Sequence, residues 1–476
     1  MAIEAYLNEK LLEKAGYTPT ECQKELFLTL SSFIADHDPE NWLMLVTGYA
    51  GTGKTSAVAA LVALLKELGR RYILMAPTGR AAKVLGGYAG VPAKTIHKQI
   101  YRQKSLQDIE GEFSIDMNKF SDTVFIVDEA SLINDATAGL SIFGTGNLLD
   151  DLAKYVRSNN RNKLILIGDP AQLPPVGLER SPALDRDYLS GYCNKLYYSH
   201  LTSVVRQQKS SGILHNATLL RSEIECGDLS PLKLQTEGFD DVERVTGADL
   251  LESFSWAIDK YGLDEVVVLC RSNSRANRYN EGIRGSVLYR EEQLAKGDKL
   301  MVVKNCYHFV EKNAEMDFIA NGDICILEHI GKYEELYGFH FATARLSFPD
   351  YNNTEIVAKI ITDTLASTEA ALSRERQRLL YEGVAEDYQD IKIKKERMKA
   401  IREDNYFNAL QIKYATAITC HKSQGGQWKC VFIDNPFWKG EFTADDKKWL
   451  YTAITRGVKR VFFVNFRDDF FIDKQL

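Results

Sequence analysis

No stretch of the 476-residue chain approaches the ~20 consecutive apolar residues that a membrane-spanning helix requires. The amino terminus, MAIEAYLNEKLLEKAG, scatters acids among its apolar residues and lacks the basic head and apolar run of a secretion signal. The expectation is a soluble cytoplasmic protein with no membrane partner. The eight cysteines, at 22, 193, 226, 270, 306, 325, 420 and 430, form no CxxC pair, which excludes a zinc ribbon or an iron–sulfur cluster as the organising feature. They read as reduced thiols. There is no repeat of fixed period and no low-complexity tract. Nor is there an excess of base: the net charge is −6, so any affinity for a polyanion must come from a local groove.

What remains is ordinary globular composition, 45% hydrophobic and 26% charged, which argues for folded domains throughout. A chain this long exceeds one core, so two large domains with smaller insertions are expected. Short continuous apolar runs recur: LMLV at 43–46, YILM at 72–75, VFIV at 124–127 and LILI at 164–167. Continuous runs separated by helix-sized gaps suit parallel strands buried on both faces. A second set, VVVL at 266–269, CVFI at 430–433 and RVFFV at 460–464, predicts a second α/β domain interrupted in sequence. The interruption, about 295–405, is first β-rich and then strongly charged and helical. A smaller insertion at 99–120 carries Tyr101, Phe113 and Phe120.

Three segments carry chemistry. Gly48-Tyr-Ala50-Gly51-Thr52-Gly53-Lys54-Thr55, followed by Ser56, fits G-x4-G-K-[ST]. Its glycines permit a tight loop whose N–H groups turn toward phosphate oxygens, Lys54 reaches the β and γ phosphates, and Thr55 ligates Mg²⁺. After Lys54, apolar residues at helical spacing run to Gly69, so 41–69 reads as strand, loop and helix. Asp128-Glu129 ends the VFIV run, giving Asp128 to the metal and Glu129 to activation of the attacking water. Gln172 lies in Gly168-Asp-Pro-Ala-Gln-Leu-Pro-Pro-Val-Gly177 after the LILI run, where it can sense the γ-phosphate. The expected cofactors are ATP and Mg²⁺. No second carboxylate cluster supports a nuclease.

The order GYAGTGKTS, APTGRAAKVL, TIHK, VDEAS, GDPAQLPPVG, LTSVVRQ, ATAITCHKSQGGQW and YTAITRG resembles superfamily 1 helicases, and most closely the RecD/Dda group, class 1B, over about residues 17–465. That resemblance implies two RecA-like parallel-sheet domains. The first comprises 1–98 and 121–200, with a wedge insertion at 99–120. The second comprises 201–294 and 406–476, with an insertion at 295–405 made of an SH3-like barrel (about 295–362) and a charged helical arm (about 363–405) that braces the wedge.

The same resemblance implies 5′-to-3′ movement on single-stranded DNA and adenine recognition by Gln23. It places Gly426 at the nucleotide, and Arg206 and Arg456 at the γ-phosphate, where cations stabilise the transferring group. It also implies DNA contacts from Pro77, Thr78, Gly79, Lys83, Thr95, His97, Thr419, His421, Lys422 and Ser423, with Tyr101 or Phe113 as the separating wedge. Where related sequences often carry a ribose-reading carboxylate, this chain has Gln427, which weakens the expectation of sugar discrimination. The expected partners are single-stranded DNA, duplex junctions and a single-strand-binding or replication/repair protein. The expected setting is a monomer in a bacterial or phage-infected cell. An RNA helicase and a remodelling motor subunit that needs partners are the competing readings.

Overall fold

The computed structural model describes residues 2–103, 113–135, 144–203, 211–310, 316, 318–438 and 441–472. The first unit contains α1 (Ala2–Ala15), α2 (Glu21–Ala35), β1 (Leu43–Gly48), α3 (Lys54–Glu67), β2 (Arg71–Ala76), α4 (Gly79–Ala89), β3 (Ala93–Thr95) and α5 (Ile96–Ile100). It continues with β4 (Tyr101–Gln103), β5 (Phe113–Ile115), β6 (Thr123–Val127), α6 (Leu148–Arg157), β7 (Lys163–Gly168), α7 (Arg186–Ser190) and β8 (Tyr197–Leu201). Six of these strands form one parallel sheet, β3-β2-β6-β7-β1-β8. Strand alternation sends Met44, Val46, Ile126 and Ile165 into a core with α1 to α4, and Leu43, Leu45, Phe125 and Leu164 into a second core with α5 and α6. That two-faced burial is why the sequence runs are continuous. β4 and β5 pair as a short antiparallel ribbon in the 99–120 insertion.

The second unit begins with α8 (Gly212–Cys226), β9 (Val242–Val245), α9 (Leu250–Tyr261), β10 (Val266–Cys270) and α10 (Asn273–Ser286). The chain then leaves it for β11 (Lys299–Val302), β12 (Ile324–Leu336), β13 (Phe339–Phe348), β14 (Thr354–Ile361), α11 (Arg374–Asp387), α12 (Lys394–Arg402) and β15 (Leu410–Tyr414). It returns as β16 (Ala417–Thr419), β17 (Trp428–Asp434), α13 (Ala444–Ile454) and β18 (Gly457–Val464). The sheet is again all parallel, in the order β16-β10-β17-β18-β9. Its two cores are built on Val267, Leu269, Val431 and Phe463 with α8 and α13, and on Val266, Val268, Phe432 and Phe462 with α9 and α10.

Strands β11 to β15 close into a barrel. The sequence places the barrel within about 295–362, but its fifth strand is Leu410–Tyr414, beyond the arm and beyond the expected insertion limit at 405. The arm enters between two neighbouring strands, so its forty-odd residues separate in sequence what the barrel joins in space. α11 and α12 pack on the barrel through Leu380, Val384, Ile401, Phe339 and Phe341. Arg376 of the arm pairs with Asp363 at its root, Lys304 of the barrel side donates to Gln377, and Asn277 of α10 donates to the Ala366 and Ser367 carbonyls.

Lys447 of α13 is 1% exposed and donates to Glu223 of α8 at 2.5 Å and to the Ser230 carbonyl at 2.7 Å. Removing one member of such a pair leaves the other poorly solvated. Lys447→Ala is therefore expected to cost about 3 kcal/mol, read as a lowered denaturant midpoint at unchanged slope.

Candidate nucleotide cleft and adjoining groove

Parallel strands deliver all their carboxyl ends to one edge of a sheet, where loops converge. β6, β7 and β1 are neighbours, with Val127 beside Leu166 and Gly168 beside Thr47. The loops after them therefore bring Asp128-Glu129, Asp169–Gln172 and Gly48–Thr55 to one place. The 48–55 loop turns because Gly51 and Gly53 adopt φ of +76° and +83°. A Cβ on Gly53 would stand 2.3 Å from Gln23 Nε2. That contact belongs to a clamp: Gln23, fully buried in α2, donates to the Thr52 carbonyl at 3.0 Å and accepts from Thr20 N–H at 3.0 Å. Gln23 thus holds the loop from behind rather than facing open space.

Lys54 Nζ donates to the Gly48 and Tyr49 carbonyls at 2.6 and 3.0 Å, lying across the loop. Thr55 and Ser56 follow it in the first turn of α3. Desolvation and the neighbouring Glu129 push Asp128 up to about 6, while Lys54 pulls the other way. A carboxylate so disfavoured is a fitting donor for a cation, whose charge would reverse the shift. Asp128 Oδ1 accepts from the Glu129 N–H at 2.8 Å, and Glu129 has φ of +53°, a strained value for a non-glycine residue.

The second unit completes the cleft. Tyr451 of α13 accepts from the Ala50 N–H at 2.8 Å and donates to Asp169 at 2.6 Å, joining the loop, the 168–177 segment and the opposite sheet at one hydroxyl. Thr452 accepts from the Leu173 N–H at 3.0 Å, and Gln424 donates to the Leu173 carbonyl at 2.7 Å. Tyr49, Ala171 and Leu173 consequently belong to the second unit's core. Arg456 is 3% exposed, donates to the Thr452 and Gly426 carbonyls at 3.2 Å each, and lies 3.9 Å from Glu129. The Oε1 of buried Gln172 has no hydrogen-bond partner, an orphan acceptor beside these groups. Arg206 lies outside the described residues. The motif YTAITRG gives Tyr451 no role by sequence alone, although it stands in the last turn of α13, five residues before the arginine.

Of the remaining sequence-predicted residues, Gly79, Lys83 and Thr95 line a groove of 590 Å³ between the first unit and the barrel. The groove is lined by Lys83, Lys94, Thr95, Lys98, Phe318 and Tyr351 among others. Thr78 and Thr95 cap α4 and α5, accepting from Ala81 and Lys98 N–H groups. Lys83 donates to the Pro349 carbonyl at 2.7 Å and pairs with Asp350 at 3.3 Å, tying α4 to the barrel. Gly79, two residues after Pro77, lies close against the barrel: a Cβ would meet Tyr351 Oη at 2.7 Å and Asp323 Oδ1 at 3.0 Å, so those side chains would have to shift. Tyr101 donates to Asp151 at 2.7 Å and its ring lies 5.6 Å from His97, whose imidazole burial pushes down to about 4. The Phe113 side chain lies outside the described residues.

In the second unit, Thr419 precedes a turn in which Ser423 is fully buried and donates to the Cys420 carbonyl at 2.7 Å. Burial pushes Lys422 down to about 8 and lowers His421. Gly425 lies against Thr78 and Ala81, and Arg80 lies 4.0 Å over the Trp428 ring while donating to the Gln427 carbonyl at 2.9 Å. Neither Arg80 nor Trp428 was singled out on sequence, though both stand inside the quoted motifs.

A family model described as an AAA domain matches residues 36–230, and one described as a UvrD-like helicase C-terminal domain matches 414–464. The two matches bracket the cleft from its opposite walls, in the motif order already described. The two matches pair an AAA domain with a UvrD-like helicase C-terminal domain on one chain. The RecD2 DNA helicase of Deinococcus radiodurans is 33% identical over 140 residues, 28% of this chain and 16% of that one. An uncharacterised protein of Methanocaldococcus jannaschii is 23% identical over 89% of this chain and 37% of its own length. The chain therefore spans well under half the length of those two relatives. A Pif1 helicase from Bacteroides, solved with ADP-AlF3 and single-stranded DNA, is 16% identical over 96% of this chain and 95% of that one, with a TM-score of 0.45.

Asp323, which accepts from the Ala320 N–H at 2.7 Å and from Tyr351 at 3.2 Å, is pushed up to about 7 by burial at the groove. An unfolded chain ionises this carboxyl near ~3.9. The folded state therefore holds the proton longer, and its contribution to stability is lost as pH rises from about 4 through about 7. Asp323→Asn is expected to flatten that part of the stability–pH curve, measured by denaturant unfolding at pH 5 and pH 8.

Proposed function

We propose that this chain is an ATP-driven motor that moves 5′ to 3′ along single-stranded DNA and separates duplex ahead of it. The observation that carries this reading is the cleft: Tyr451 and Arg456 of one sheet reach the phosphate loop, Asp169 and Glu129 of the other. A nucleotide seated there touches both units, so its hydrolysis changes how they close. Thr55 and Asp128 are the residues that would hold Mg²⁺, which supplies charge neutralisation at the phosphates. Lys54 exchanges its carbonyl partners for phosphate oxygens, and Glu129 orients the attacking water. Gln172 offers its unpartnered oxygen to that water, and Arg456 moves its guanidinium from the Gly426 carbonyl to the γ-phosphate. Gln23, already on the loop, reads adenine, and Arg206 joins Arg456 as a second cation.

The groove beside α4 and α5 is the proposed strand path. Its lysines provide charge, the backbone at Thr78-Gly79 and Thr95 provides close approach, and Phe318 and Tyr351 provide faces on which bases stack. Thr419, His421 and Lys422 extend the track across the second sheet, so closing the cleft shifts one set of grips relative to the other. The 99–120 ribbon, with Tyr101 anchored at its base, is the proposed wedge.

Lys54→Ala is expected to reduce ATP hydrolysis at least about 100-fold, as loss of a phosphate-stabilising group does, while strand binding persists. The direct test measures strand displacement on 5′-tailed and 3′-tailed duplexes of DNA and of RNA with the purified chain alone. Displacement confined to 5′-tailed DNA is expected. Displacement of the 3′-tailed duplex alone overturns the polarity, RNA preference overturns the substrate, and activity only after adding lysate proteins points to a partner-dependent remodelling motor.

A further inference from the structure

The arm holds a surface that the motor cycle does not use. Between Lys392 and Arg402 stand six basic residues against one acid, Glu396, in a chain whose net charge is −6. In the first arm helix two of the three arginine cations are answered: Arg376 pairs with Asp363 and Arg378 with Glu382. In α12 they are not. Lys392, Lys394 and Lys395 are exposed, Arg397 is half-buried, and none of the four has an ion-pair partner among the described residues. Lys399 is exposed as well and meets only Glu403, at 3.8 Å. Met398 and Ile401 hold the opposite face, Ile401 buried and Met398 against the Tyr381 hydroxyl at 3.1 Å. The basic stripe is thus fixed outward by packing on its back. Like charges i and i+4 on one helix repel, as Lys395 and Lys399 do, so the cluster destabilises the free arm and gains from an anionic partner.

We propose that α12 is a docking surface for the phosphate backbone of duplex nucleic acid, distinct from the strand path in the groove. Its position supports duplex rather than the translocated strand. The groove meets the barrel at Pro349–Tyr351, beyond the end of β13, whereas the arm packs at the beginning of that strand, on Phe339 and Phe341. Ten residues of strand at ~3.4 Å each separate the two by about 30 Å. That is close to the ~34 Å of one turn of B-form duplex, so a stiff duplex leaving the groove can lie against both. No aromatic residue occurs from 389 to 405, so the surface lacks the stacking faces on which single strands are held. Lys395 and Lys399, ~6 Å apart on one helix face, match point-charge contacts to successive phosphates. The choice of duplex over an acidic protein rests on the motor reading, which puts a junction within reach.

The test compares the wild-type chain with K392Q/K394Q/K395Q/K399Q and with the corresponding four-arginine variant. Binding of a fluorescent blunt duplex, a 5′-tailed duplex and a single strand is followed by anisotropy from 50 to 200 mM NaCl without nucleotide. Each phosphate contact contributes ~0.9 to the salt slope on duplex, so the four-glutamine variant is expected to lose about 3.6 units of slope and about tenfold in duplex affinity at 50 mM. The arginine variant retains both, and single-strand binding and strand-stimulated ATP hydrolysis stay within about twofold of wild type. Unchanged duplex affinity and slope overturn the proposal, as does an equal loss on the single strand. Displacement of duplex from the wild type by polyglutamate at equal charge also overturns it, in favour of an acidic protein partner. Because duplex binding is read without ATP, the proposal stands or falls even if the chain separates no strands.

Discussion

One hydroxyl group sets the relation between the two sheets. Tyr451 takes the Ala50 N–H and gives its proton to Asp169, so the phosphate loop, the segment after β7 and helix α13 share a single junction. The junction is buried, where hydrogen bonds are strong and an unmet partner is costly. Thr452 and Gln424 add two more bonds to Leu173 on the same side. The cleft is therefore closed over the loop by polar bonds at its floor, and the phosphate-facing groups above it remain loosely committed.

That division explains the electrostatics of the site. Arg456 is buried but satisfied by carbonyl oxygens and stands 3.9 Å from Glu129, longer than a hydrogen-bonded pair. Asp128 is held in a form that favours its proton, and Gln172 carries an oxygen with no donor. Gln172 lacks a donor, Asp128 is short of a counter-charge, and Arg456 meets only neutral oxygens at hydrogen-bond distance. In the proposed motor a triphosphate would meet the arginine, its metal the Asp128 carboxylate, and the attacking water would donate to the Gln172 oxygen.

Much of the fold was legible because buried parallel strands leave continuous apolar runs and all seven runs noted in the sequence are strands. The phosphate loop was legible because its glycines answer a backbone requirement. The barrel's last strand was not, since α11 and α12 intervene and no local pattern in 410–414 announces its neighbours. Side-chain roles at the groove were harder still. Thr78, Thr95 and Ser423 are hydroxyl residues in suggestive motifs, yet two cap helices and the third bonds its own turn. Gln23, expected at the adenine, also bonds the loop from behind, a contact that its place in the sequence does not announce. The contacts across the cleft, Tyr451 to Ala50 and Arg80 to Trp428, join residues hundreds of positions apart, a distance at which sequence spacing carries no information.

The place where the arm joins the barrel has a mechanical meaning. The chain departs after Ile361 and returns at Leu410, and Ile361 and Gln411 are register partners on adjacent strands. An appendage with both ends rooted at one point hangs like a pendant: its loss or replacement leaves the path of the main chain intact. Two residues after β15 the chain enters β16, at the edge of the second sheet beside the 419–425 turn. A load borne by the pendant is thus passed through one strand to the lip of the cleft, with no flexible tether between to absorb it.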